Sequence, residues 1–80
     1  MKIKLFDLLM AMETNEMIII ETKVDEEDLL VFRGIVADIP RYVWAKLNGK
    51  KRVYAYVKNL YTLESVFNKG SEMVINVEYR

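Results

Sequence analysis

The residues best suited to chemistry lie together in the second half of the chain. Arg41-Tyr42-Val43-Trp44-Ala45-Lys46-Leu47-Asn48-Gly49-Lys50-Lys51-Arg52-Val53-Tyr54-Ala55-Tyr56 interleaves cations with rings. Cations attract phosphates and carboxylates, while exposed rings stack on bases or anchor protein interfaces. Side chains two apart on a strand share a face, so Tyr54 and Tyr56 project together, as a stacking platform requires. No RNP, KH or helix-turn-helix pattern accompanies them. The plainer reading is a solvated Lys50-Lys51-Arg52 turn flanked by rings that cover a small sheet. The candidate partner-binding residues are Tyr42, Trp44, Lys50, Lys51, Arg52, Tyr54 and Tyr56. The same patch suits a protein surface, a nucleic acid or a free nucleotide.

Other chemistries lack their parts. The chain has no histidine and no cysteine. Zinc and iron–sulfur sites need imidazole or thiolate ligands, and Ser–His–Asp and Cys–His catalysis need the same groups. A disulfide scaffold is excluded, and so is a pH switch built on an unperturbed imidazole. Asp25-Glu26-Glu27-Asp28 is acidic, yet it has neither the alternating spacing nor the glycine of a calcium loop, so it reads as a solvated connection. Ser65, Ser71 and Lys69 offer Ser–Lys chemistry in principle, but nothing sets a base against a nucleophile or supplies an oxyanion hole. Gly34, Gly49 and Gly70 are isolated, so there is no phosphate-cradling loop. An enzyme is not expected, nor a cofactor or a metal.

The elements that must position the basic and aromatic residues follow from periodicity. Leu5, Leu8, Leu9 and Met12 recur at helical spacing, predicting a short helix over 4–12 with Asp7 at its positive end. Thr14-Asn15 would stop it, Asn15 taking a left-handed conformation. Such a helix is too short to stand alone in water and must dock. Residues 17–23 and 29–36 form two apolar runs joined by the polar 24–28, a hairpin pattern. Gly34 inside the second run marks a bulge or a close backbone approach. Residues 38–49 admit two readings. Pro40 at the front and Asn48-Gly49 at the back favour a helix with Ile39, Val43 and Leu47 on one face. The rival reading uses Asn48-Gly49 as a hairpin turn between strands 41–47 and 50–58. Residues 51–63 read as a long strand, Asn68-Lys69-Gly70-Ser71 as a turn, and 72–79 as the last strand, with Met73, Ile75, Val77 and Tyr79 on one face. The expected fold is α+β: a four-stranded, mainly antiparallel sheet with one or two short helices on one face, in the order α-β-β-α-β-β. Tyr54, Tyr56, Leu60 and Val74 would line the other face. An uncovered apolar face marks a partner or self-association.

The 80 residues suffice for a single domain, 1–80, with one modest core. Twelve basic and twelve acidic residues cancel overall, which excludes a strongly basic nucleic-acid binder at the level of the whole chain. Counted by halves they do not cancel. Residues 1–40 carry four basic and nine acidic side chains, a charge of minus five; residues 41–80 carry eight and three, a charge of plus five. Either the halves attract within the fold, or copies meet acidic to basic, or one patch serves a foreign partner. The basic and apolar start at Met1–Phe6 mimics a signal peptide, but Asp7 interrupts it and no cleavage site follows. Met17-Ile18-Ile19-Ile20 is far too short to span a bilayer. A soluble cytoplasmic protein with no membrane partner is therefore expected.

Two stretches carry a resemblance. Lys4-Leu5-Phe6-Asp7-Leu8-Leu9-Met10, with Met17-Ile18-Ile19-Ile20 after a short turn, resembles the opening of small accessory proteins of phages and mobile elements of Gram-positive bacteria. Phe32-Arg33-Gly34-Ile35-Val36-Ala37-Asp38-Ile39-Pro40 is similar to the segment that follows in them, an aromatic-x-Gly strand ending in Asp-Ile-Pro before a helix. The resemblance covers roughly the first half, and its motifs are structural. The second half departs from the pattern with a longer, tyrosine-rich strand. The family has no established activity, so no functional residue carries over. The resemblance implies a context of small proteins that act by binding, often against host defences, by blocking a protein or sequestering a nucleotide signal. The expected function is therefore a non-enzymatic binding protein that occludes a host protein, such as a defence component, with homo-oligomerisation. The alternatives are a nucleic-acid or nucleotide binder using residues 41–58, and a structural protein without a ligand.

Overall fold

The computed structural model describes residues 2–64 and 71–80. In chain order the elements are β1 (Ile3–Lys4), α1 (Leu5–Ala11), β2 (Met17–Val24), β3 (Glu27–Ile35), a 3-10 turn (Val36–Asp38), α2 (Arg41–Trp44), β4 (Ala45–Asn48), β5 (Lys51–Glu64) and β6 (Ser71–Tyr79). The strands form one mixed sheet in the order β1-β5-β6-β2-β3, with β4 also pairing β5. β4 takes the Lys51–Tyr54 stretch of β5 and β1 takes Tyr56 and Val57. β6 runs along the opposite edge of β5, where Tyr54 and Arg80 exchange two backbone hydrogen bonds.

The α+β class is as expected, but the sheet has six strands rather than four, and the order α-β-β-α-β-β is wrong. One extra strand is β1, the two residues ahead of α1, too short to leave an alternating pattern. The other is β4, within the stretch expected to be helical. There Pro40 does precede a helical turn, but it ends at Trp44, where Ala45 adopts an extended backbone. Asn48 and Lys51 then pair across the two-residue turn Gly49-Lys50, so the hairpin alternative holds in kind, but with the turn one residue later than Asn48-Gly49 and the first strand confined to Ala45–Asn48. Pairing with β5 outweighed continuation of an isolated helical turn, for which nucleation is costly.

α1 buries Leu5 and Leu9, with Leu8 and Met12 packed alongside, as its stripe predicts. It ends when Met12 becomes extended, ahead of the expected stop; Asn15 does not take a left-handed backbone. The core lies between α1, α2 and one face of the sheet. It comprises Leu5, Leu9, Ile18, Ile20, Val43, Ala55, Ile75 and Val77. Fully burying each Leu, Ile or Val contributes roughly 1.5–3 kcal/mol against leaving it in water. Met73 and Tyr79 pack against the same cluster, so the predicted inward face of β6 is correct.

Three details depart from the expected pattern. The connection after β2 is only Asp25-Glu26, both with positive φ (51° and 67°), so pairing continues to Val24 and Glu27. The β2–β3 bulge lies at Val31 rather than Gly34: Ile20 faces Phe32 and Glu21 faces Leu30. What lies close to Gly34 is a side chain rather than backbone: a Cβ there would sit 3.0 Å from Cζ of Phe32. A second bulge, at Lys58, separates Val57↔Val77 from Asn59↔Asn76. It reverses the alternation along β5, so Leu60 pairs with Ile75 on the helix side and does not line the open face as expected. The expected turn at 68–70 lies outside the described residues. No helix among the described residues is long and apolar enough to cross a membrane.

Candidate functional site

The β4–β5 hairpin builds the basic part of the site. Gly49 adopts φ +67°, a left-handed value that glycine takes without steric cost, and this closes the two-residue turn Gly49-Lys50. Lys50, Lys51 and Arg52 are all exposed at its tip. Leu47 lies opposite Arg52 and is also exposed. The cations thus stand beside apolar surface.

The aromatic part lies further along β5. Tyr54 and Tyr56 share the sheet face turned away from α1, because Val53, Ala55 and Val57 take the helix side. Lys4 of β1 pairs with Tyr56, and its Nζ lies 4.5 Å above the Tyr54 ring. Lys4 therefore belongs to the cluster, although its position in the chain gave no sign of it. Val74 lies on the same side of the sheet, directly opposite Tyr61, but it is buried (1% exposed) and adds nothing to an uncovered apolar face.

Two of the seven candidates lie apart. Trp44 packs on Phe6 of α1, with ring centroids 4.7 Å apart and planes at 42°, and it helps cover the core. The Arg41 guanidinium sits 5.8 Å from its ring centroid. Tyr42 is exposed on the same short helix. Lys50, Lys51, Arg52, Tyr54 and Tyr56 are therefore brought together along β5, with Lys4, while Tyr42 and Trp44 belong to the α2 side.

Strand directions place the two charged turns at the same end of the sheet. β2 and β6 run parallel, while β3 and β5 run against them, so Asp25-Glu26 and Gly49-Lys50 both cap that end. β2 and β6 lie between the two hairpins' outer strands. Among the described residues, the ion pairs are Arg33–Glu72 and Arg80–Glu78. Neither joins an acid of residues 1–40 to a base of residues 41–80. Among the described residues, the charge asymmetry is therefore not consumed by direct pairing.

A feature without any sequence signal lies between the two hairpins. β2 and β6 pair as far as Thr22↔Val77 and then part. Where they part, Lys23, Asp28, Lys58, Asn59, Asn76 and Val77 line a pocket of about 310 Å³. Asn76 Oδ1 is buried there without a hydrogen-bond partner. The Lys58 bulge that shapes one wall involves neither glycine nor proline, so nothing in the local sequence announces it.

The remaining candidates bring no catalytic or metal centre together. Glu27 and Asp28 belong to β3, and Asp25 and Glu26 form the turn. No group of three metal-ligating side chains converges among the described residues. Ser65 and Lys69 lie outside the described residues, and Ser71 begins β6. Comparison with models of known families, with curated proteins and with solved structures returned no match.

Proposed function

We propose that this chain is a non-enzymatic binding protein that covers an acidic surface of a host protein with its β4–β5 hairpin and the adjoining tyrosine face. The observation that carries the reading is the state of Lys50, Lys51 and Arg52. All three are exposed at one tip, and among the described residues none forms an ion pair. Beside them, Leu47, Tyr54 and Tyr56 supply the apolar and aromatic contacts that anchor interfaces. The resemblance of the first half to phage and mobile-element accessory proteins makes a host defence component a natural target, reached in the cytoplasm.

Capture from a Gram-positive lysate tests this. Immobilised wild type should retain a protein that the triple reversal Lys50→Glu, Lys51→Glu, Arg52→Glu loses. Equal capture by both would sink the site assignment.

A second reading, nucleic-acid or nucleotide binding, is favoured by one observation: Lys4, Tyr54 and Tyr56 share the open face. Against it, Glu78 lies opposite Tyr56 on that face, where it would repel phosphates. Titration with short single strands and with cyclic nucleotides at low salt separates the two. Saturable binding that weakens steeply with added salt would favour this second reading.

A further inference from the structure

We propose that β3 is the interface through which two copies of this chain pair, edge to edge and antiparallel, into one continuous sheet. The two edges of the sheet differ. One is formed by β1 and β4, of two and four residues, and beyond them by residues 59–64 of β5, which among the described residues pair only with β6. Short strands are a common protection against unwanted pairing. The other edge is β3, nine residues long, without lysine or proline; its protections are the bulge at Val31 and the charges of Glu27, Asp28 and Arg33, which leave Leu29 to Phe32 uncharged.

The middle of β3, Leu29-Leu30-Val31-Phe32, is apolar on both faces, and an apolar run on an open edge is prone to pair with another strand. Leu29 is 55% exposed and Leu30 58%. The register puts them on opposite faces of the sheet: Leu29 pairs with Thr22, and Leu30 with Glu21. An added strand covers both, along with the outward backbone N–H and C=O groups of the edge.

Charge selects a second copy, and selects antiparallel pairing. β3 begins with Glu27-Asp28 and has Arg33 near its other end. Asp28 and Arg33 share a face, since their partners Lys23 and Ile19 are four apart on β2. A two-fold axis near Leu30 and Val31 sets the acidic start of each copy against Arg33 of the other, so every favourable contact occurs twice. Arg33 is prepared for this. One of its nitrogens bonds Glu72 at 3.1 Å, which fixes the guanidinium, while the side chain remains 56% exposed. Its remaining donors are open to a second carboxylate. Such a dimer leaves the β4–β5 hairpin of each copy free at opposite ends of the joined sheet. The molecule would then be bivalent, which raises avidity for a repeated or dimeric partner.

Light scattering and sedimentation across a concentration series test this. Wild type should reach twice the 9.5 kDa chain mass. Leu30→Lys should raise the dimer dissociation constant by about a hundredfold or more, through an edge charge that resists pairing. Asp28→Arg should weaken the dimer about tenfold or more while leaving the leucines in place. Hydrogen exchange should show β3 amides protected in wild type and exposed in Leu30→Lys. A wild type that stays at one chain mass throughout overturns the proposal. A dimer indifferent to Leu30→Lys overturns it too, as does one lost only on reversing Lys50, Lys51 and Arg52.

Discussion

The Tyr79 hydroxyl donates a hydrogen bond to the Val43 carbonyl oxygen at 2.6 Å, tying the end of β6 to the short α2 helix. This contact joins residues 36 apart in sequence and adds a polar tie to α2, which is otherwise held by the buried Val43 and by Trp44 against Phe6. It also fixes the start of β4, and through β4 the basic hairpin. Lys46 completes the arrangement, its Nζ lying 3.8 Å over the Tyr79 ring.

Burial raises the Tyr79 phenol above its ordinary value of 10.0. The folded state therefore holds this proton at a pH where the unfolded chain has released it. Its contribution is complete below about pH 10 and is lost as pH rises through the folded value. Tyr79→Phe should cost about 1–3 kcal/mol at neutral pH, because it orphans the Val43 carbonyl. It should also flatten the alkaline fall in stability. Urea unfolding at neutral pH and above pH 10 checks both; an unchanged alkaline slope would contradict this role.

The Asp25-Glu26 turn holds two non-glycine residues at positive φ. Left-handed backbone costs roughly 1–2 kcal/mol for a residue with a Cβ, and two-residue turns of this kind favour Asn-Gly. Glu26→Gly should therefore stabilise the fold by about 1 kcal/mol, or about 4–8 °C in Tm for a chain of this size. Calorimetry would show the rise. A fall would mean that the Glu26 side chain makes a stabilising contact.

Glu72 is only 4% exposed and accepts a hydrogen bond from Arg33. Removing the cation strands a buried carboxylate. Because the Arg33 side chain is 56% exposed, Arg33→Met should cost about 1–3 kcal/mol, whereas Arg33→Met with Glu72→Met should recover most of that loss. A double-mutant cycle by denaturant unfolding measures the coupling. Equal losses in the single and the double variant would show that the pair contributes through shape alone.

The parts of the fold that were legible in the sequence are those set by local periodicity. The Leu5–Met12 stripe, the apolar run of β2 and the alternation of Met73, Ile75, Val77 and Tyr79 each have one dominant period, and each element formed. The Tyr54–Tyr56 face was legible for the same reason. What escaped depends on distant partners. Lys4 reaches Tyr54 only because β1 pairs the far edge of β5. Leu60 changes face because of a bulge at Lys58, whose neighbours carry no turn signal. Residues 41–48 hold a helix start and a strand in eight positions, and only pairing with β5 decides where one yields to the other.

The proposed binding surface is the β4–β5 hairpin with the tyrosine face. Hydrogen exchange on the complex with the captured protein tests it most directly. Exchange should slow over residues 47–56 and at Lys4, with β2 and α1 unchanged. Slowed exchange confined to α1 and α2, with 47–56 exchanging as in the free protein, would contradict it.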